Sequence, residues 1–154
     1  MDDSNFTPDQ KLLALSLKQP YAELMLHGKI ETRTWKTNYR GWVLICCSQK
    51  SYDYLKIQQI CGSIQFQRVL KLIPFNLLQN NKNYLGNAIA IGRLVDCRPM
   101  VPDDEGKCFV QYDPYLFCHT YENVQAIEPF PWKGSQGWKE VNSETKKRVI
   151  IKYT

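Results

Sequence analysis

Glu31, Arg33 and Trp35 stand two residues apart in a run rich in threonine and aromatic side chains. If that run is extended, the alternation of a strand puts all three on one face. A carboxylate, a guanidinium and an indole in a row are the parts of a nucleotide reader. A base stacks on Trp35, Arg33 takes a phosphate or a base edge, and Glu31 accepts from an amino group. Lys29 precedes the row, and Tyr39 and Arg40 follow it in a turn-like Asn38-Tyr39-Arg40-Gly41, adding two cations and a ring. Gln19 upstream and Lys133, beside Trp132, complete the candidate ligand-binding residues. The same residues support a plainer reading, in which Glu31 and Arg33 pair at the surface and Trp35 belongs to the core. His27 and His119 read as surface and structural residues, respectively. No Cys-x-x-Cys pair, Walker loop or dinucleotide fingerprint occurs, so no metal and no cofactor are expected.

The elements that must carry these residues are short. Extended runs are expected at 12–17, 30–35, 42–48, 87–97, 115–121 and 149–153. Within 87–97, Ala88, Ala90 and Gly92 are read as a small-residue side opposite Ile89 and Ile91. Pro20 suits the first position of a helix over 20–27, and Gly28 suits the left-handed residue that ends it. A second helix is expected over 51–61. Residues 64–85 read as either strand or helix, with a loop at 80–83. Residues 99–114 are acidic and proline-flanked, a surface excursion, and 128–134 are irregular. Many short strands with few short helices indicate an α+β, mainly β fold: a mixed sheet curling into a small closed barrel. It forms one domain, 12–154, behind a flexible tail, 1–11.

The chain has 154 residues, 44% of them hydrophobic and 23% charged, a globular composition with enough length for one core. That excludes a disordered chain, a collagen and a coiled coil. The longest apolar run, Trp42 to Cys47, is far short of a bilayer span, so no membrane partner is expected. The chain opens Met1-Asp2-Asp3 with no basic or apolar leader, and its six cysteines mostly sit beside apolar runs. Reduced thiols in a cytoplasmic protein are the expectation. Net charge is +5, unevenly spread: 29–56 and 129–154 each hold six bases against two acids, whereas 98–128 hold two against six. Two basic segments around an acidic one suit a basic face and an anionic partner.

The run Leu15 to Ala22 (Leu-Ser-Leu-Lys-Gln-Pro-Tyr-Ala), Gly28-Lys29 with Glu31-x-Arg33, Trp35, and Thr37 to Gly41 resembles the ASCH family of PUA-like barrels. Gly86 to Gly92, Leu94 to Cys97, and Pro131 to Gly134 with Gly137-Trp138 extend the likeness over about residues 12–142, in the manner of a small stand-alone member. The resemblance implies a small β-barrel of the PUA-like type with flanking short helices. It also implies a basic cleft built around Lys29, Glu31 and Arg33, and RNA or a nucleoside-like ligand as partner. It further implies an alternative, since some members are hydrolases, including amidohydrolases of N4-acylated cytidine that use a Lys, a Thr and a Glu. Lys29 and Thr32 have the Lys-to-Thr spacing of those enzymes. In the register set by Arg33, Glu31 instead takes the threonine position. Lys29, Glu31 and Thr32 are therefore the catalytic candidates, and the family's later glutamate has no match, residues 87–98 offering only Asp96.

Overall fold

The structure is a computed structural model describing residues 5–73 and 84–153. The loop expected at 80–83 lies outside the described residues. Six strands form one curled half-barrel sheet in the order β2-β5-β4-β3-β1-β6. They are β1 (Leu12–Leu17), β2 (Glu31–Arg33), β3 (Gly41–Cys47), β4 (Asn87–Pro99), β5 (Phe117–Pro131) and β6 (Lys139–Glu140). The fold is mainly β with short helices around it, as the extended runs indicated.

β1 and β3 are apolar along almost their whole length, and they pair parallel, Leu12 with Trp42 through Leu17 with Cys47. Near-continuous apolar strands of this kind need cover on both faces, and the sheet has it. Leu15, Leu17, Val43, Ile45 and Cys47 belong to one core, under α1 (Tyr21–Leu24) and the 3-10 turn Met25–His27. Leu12, Ala14, Trp42, Leu44 and Cys46 belong to a second core on the opposite face. Phe6 packs edge-on against Trp42 there, with ring centroids 6.0 Å apart, and Val141, Val149 and Ile151 join it. All six cysteines are free thiols.

The expected turn around Gly28 is present: Gly28 has φ 84° and ends the 3-10 turn in the left-handed region. Several boundaries move. Residues 30–35 pair only over Glu31–Arg33. The second helix, α2, runs Tyr54–Leu72, capped by the Asp53 carboxylate accepting from Lys56 N at 2.8 Å. It is broken at Gly62 (φ 79°, ψ 164°), where a Cβ would lie 2.9 Å from Gln111 Nε2.

The 99–114 segment is more than a surface excursion. It holds a 3-10 turn (Pro102–Asp104) and α3 (Glu105–Cys108), and it buries Met100, Cys108, Phe109 and Val110 in the inner core. Residues 128–131 are strand rather than irregular, because β5 continues to Pro131. Its pairing jumps from Ala90 with Ala126 to Ala88 with Phe130, so Pro129 falls within a bulge that asks no N–H of it. The same register shift breaks the small-residue side read into β4: Ile89 and Ala90 both reach the inner core, while Ala88 and Ile91 reach the outer one. Residues 149–153 are not a sheet strand. One bridge, Ile127 with Ile151, and bonds from Glu128 N to Ile150 O and Lys152 N to Ala126 O hold them on β5. Helix α4 (Ser143–Lys146) precedes them, capped by Asn142.

A ladder closed all the way round does not form among the described residues. β2 and β6 are the ends of the sheet order. On one side of β1 stands β3; on the other, β6 covers only Leu13 and Ala14. The remaining gap faces β2 and is bridged by a side chain: Arg33 Nη2 donates to Ser16 O at 3.1 Å.

Candidate functional site

The gap between β1 and β2 is the mouth of a cleft of about 1490 Å³. Its floor is charged. Lys29 Nζ lies 2.8 Å from Glu31 Oε1 and Arg33 Nη2 lies 2.9 Å from Glu31 Oε2. The Lys29 side chain is fully buried and that of Glu31 is 7% exposed, while Arg33 is 23% exposed. Lys29 Nζ also donates to Ile30 O at 2.9 Å and stands 5.0 Å above the Tyr21 ring. Tyr21 is held in turn by its hydroxyl, which donates to Phe109 O at 3.0 Å.

A buried carboxylate is favourable only with partners of opposite charge. Burial alone pushes the Glu31 carboxyl up, but the Lys29 ammonium, the Arg33 guanidinium and the Lys29 hydrogen bond together hold it below its ordinary value. Glu31 is therefore a carboxylate at neutral pH. Directly across from it on β5 is His119. Its Nε2 lies 3.0 Å from Trp35 O, and a carbonyl can only accept, so Nε2 carries the proton. Burial lowers the His119 pKa, so the ring is neutral and Nδ1 is a bare acceptor. Arg33 Nε, His119 Nδ1 and the Tyr121 hydroxyl are buried polar atoms with no protein partner.

Of the residues singled out by sequence, Lys29, Glu31, Thr32, Arg33, Trp35 and Lys133 line the cleft. Trp35 does so from within an aromatic cluster, its ring 5.0 Å from His119 and 5.5 Å from Trp138, both edge-on. Gln19, Tyr39 and Arg40 do not converge there. Gln19 is buried, and its Oε1 accepts from Glu23 N at 3.0 Å, which fixes the start of α1. Tyr39 donates its hydroxyl to Trp42 O at 2.7 Å and packs on Trp138. Arg40 folds back onto the carbonyls of Thr37 and Tyr39.

Sequence reasoning passed over much of the wall. Lys18 and Tyr52 line one side, the ammonium 5.0 Å over the ring, with Lys56 beside them at the start of α2. Gln111, Tyr112 and Asp113 form another side, tied down by Gln111 N to Ile60 O (3.1 Å) and Tyr112 N to Glu105 Oε2 (2.6 Å). Trp132 and Gly134 form the third. Gly134 passes so close to β1 that a Cβ would lie 2.8 Å from Ser16 Oγ. Trp132-Lys133 carried a visible signal, an aromatic beside a base. Tyr52, Lys56 and Tyr112 carried none, because only the tertiary packing of α2 and the 99–114 segment brings them to the seam.

The lining thus interleaves cations with rings around one neutralised carboxylate. Among the described residues, no helix is long and apolar enough to cross a membrane. No curated protein matches the chain. The family model of the ASCH domain matches residues 15–131. That match runs from the second half of β1 through the charged floor to the end of β5, and the chain belongs to the ASCH domain family, a group of PUA-like RNA-binding or related modules.

Proposed function

We propose that the chain binds single-stranded RNA in the cleft on the β1–β2 seam. The supporting observation is the lining itself. Lys18, Lys56 and Lys133 stand at the cleft with Tyr52, Tyr112 and Trp132 among them, and Asp113 is the acidic lining residue besides Glu31. Cations that track phosphates between rings that stack bases are what a single strand requires. The volume favours a strand over one nucleoside, since pockets for small ligands run to about 300–1,000 Å³. In this reading the three lysines hold phosphates and the rings take bases. Arg33, partly exposed, contacts a phosphate or base edge beside Glu31. The six unpaired thiols suit a reducing compartment such as the cytoplasm.

The hydrolase reading draws less from the geometry. Both Glu31 oxygens are taken by cations, which makes a weak general base, and Lys29 spends its ammonium on Glu31 and Ile30 O.

Fluorescence anisotropy with labelled single-stranded RNA, duplex RNA and single-stranded DNA tests the proposal. Saturable binding of single-stranded RNA that weakens with salt is expected. Arg33→Ala should lower the affinity and, if Arg33 meets phosphate, shallow the salt dependence. No binding by the unaltered protein at low salt ends the reading. A parallel panel of N4-acylated nucleosides yields product only if the hydrolase reading holds, and Glu31→Gln should then abolish turnover while binding persists.

A further inference from the structure

We infer that the RNA path does not end at the cleft but continues over a second basic patch, at the end of the half-barrel, built from Lys11 and Arg40. This rests on the cleft reading above and adds a second contact surface to it. An aromatic spine connects the two places. Trp35 lines the cleft; its ring is 5.5 Å from Trp138, and Trp138 is 5.6 Å from Tyr39. Lys139, next to Trp138, stands 5.3 Å over Trp132, another cleft residue, so the rim and the spine meet at β6. At the outer end, Lys11 Nζ lies 5.9 Å over the Tyr39 ring.

Arg40 is set in place by the same turn. Its Nη1 donates to Thr37 O at 3.0 Å and to Tyr39 O at 2.8 Å. Thr37 is itself fixed, its Oγ1 accepting from Trp138 Nε1 at 3.2 Å and Tyr39 N at 3.1 Å. The exposed guanidinium therefore keeps Nε and Nη2 without a protein partner among the described residues, already oriented. A pre-oriented fork costs less freedom on meeting a phosphate than a loose side chain does. Glu140, which pairs with Leu13 and acts electrostatically on Tyr39, is the opposing charge nearby. Two cations against one carboxylate, flanking a ring, suit a phosphate-and-base chain better than a duplex, which would hide its bases.

The test compares RNA oligomers of about 4 and about 12 nucleotides, the span of single-strand site sizes. The proteins compared are the unaltered chain and the double variant Lys11→Ala/Arg40→Ala. The expected result is about tenfold weaker binding of the longer oligomer by the variant and a salt slope shallower by about 1.4, two phosphate contacts' worth. The short oligomer should bind both proteins alike. Equal affinity of both proteins for the long oligomer overturns the patch and leaves the cleft reading standing. Equal losses for both lengths also overturn it, since the two residues would then act on the cleft itself. No binding of either length by the unaltered chain overturns the cleft reading, and the patch with it. Thermal unfolding checks that the variant folds; should it not, the single variant Lys11→Gln, which leaves the Arg40 turn intact, carries the comparison with a salt slope shallower by about 0.7, one phosphate contact's worth.

Discussion

Two carboxylates in this molecule are nearly buried and each meets an arginine, yet the two sites differ in kind. Asp104 accepts both prongs of Arg98, at 2.7 and 2.8 Å, and also accepts from Val101 N at 2.8 Å. Both prongs of Arg98 converge on one carboxylate, and the outcome is a clamp that closes the Pro102–Asp104 turn against β4. Glu31 instead divides its oxygens between Lys29 and Arg33, and Arg33 reaches across the seam to Ser16 with its Nε left over. The first arrangement is a bidentate one-to-one pair and sits away from the cleft. The second sets two cations against one carboxylate, a surplus of one positive charge, and it floors the cleft. The surplus cation, more than the presence of an ion pair, separates a site able to receive an anionic ligand from a structural one.

The largest effect that would break this contrast is on stability. Glu31→Ala leaves the fully buried Lys29 ammonium uncompensated and should cost about 3–5 kcal/mol in urea unfolding. Asp104→Ala should cost about 1–3 kcal/mol, because Arg98 is 39% exposed and water can take over its fork. Equal losses would show that Lys29 finds solvent and that the seam is not dry.

The pH dependence sharpens the comparison. The Arg98 bonds hold the Asp104 carboxyl well below its ordinary value, and at Glu31 the two cations outweigh burial to the same effect. A pKa lower in the folded than in the unfolded chain adds stability above the unfolded value. That stability is lost as pH falls from about 4 through the folded pKa. Glu31→Gln should therefore lose its stability deficit relative to the unaltered protein only on acidification below about pH 4, read from unfolding midpoints across pH. A deficit independent of pH would mean that Glu31 is not charged in the fold.

A smaller effect distinguishes the arginines by ligand. Arg33→Gln should weaken single-stranded RNA binding about tenfold, on the scale of one good polar contact. Arg98→Gln should leave the affinity unchanged. Loss in both would place the clamp inside the binding surface. Smallest in stability is Gly134→Ala, under about 1 kcal/mol for an exposed loop position. Yet its Cβ, 2.8 Å from Ser16 Oγ and 3.3 Å from Ser16 Cβ, crowds β1 even after the hydroxyl turns away, and should reduce RNA affinity by shifting the Trp132–Lys133 wall. Unchanged affinity would remove that wall from the site.

Legibility in the sequence followed the range of the interactions. β1 was readable to the residue, because an apolar run is a local property. The floor residues were readable for the same reason, being two apart on one short strand. Long-range register was not readable. Pro129 and Pro131 look like strand breakers until the bulge opposite Ala88 makes room for them, and the acidic 99–114 segment hides an apolar Cys108-Phe109-Val110 that closes the inner core. Tyr39 and Arg40 stand near the floor in sequence, but the turn at 34–40 carries them away along the Trp138 spine. Tyr52 reaches the cleft through its N–H bond to Gln19 O, and Tyr112 follows Gln111, which seats against the break in α2 at Gly62.

The bond from Arg33 to Ser16 O makes the circumference of the half-barrel a thermodynamic variable linked to occupancy. A continuous ladder would hold the gauge of the barrel fixed whatever lay in its mouth. Here one charge-assisted bond spans the opening, worth roughly 1.5–3 kcal/mol. An anion that draws the guanidinium off Ser16 binds with its intrinsic affinity less that amount. A ligand that leaves the bond in place and meets only the exposed part of the Arg33 side chain binds without the penalty and tightens the opening. Two ligands of equal charge can thus have opposite effects on amide exchange along β1 and β2.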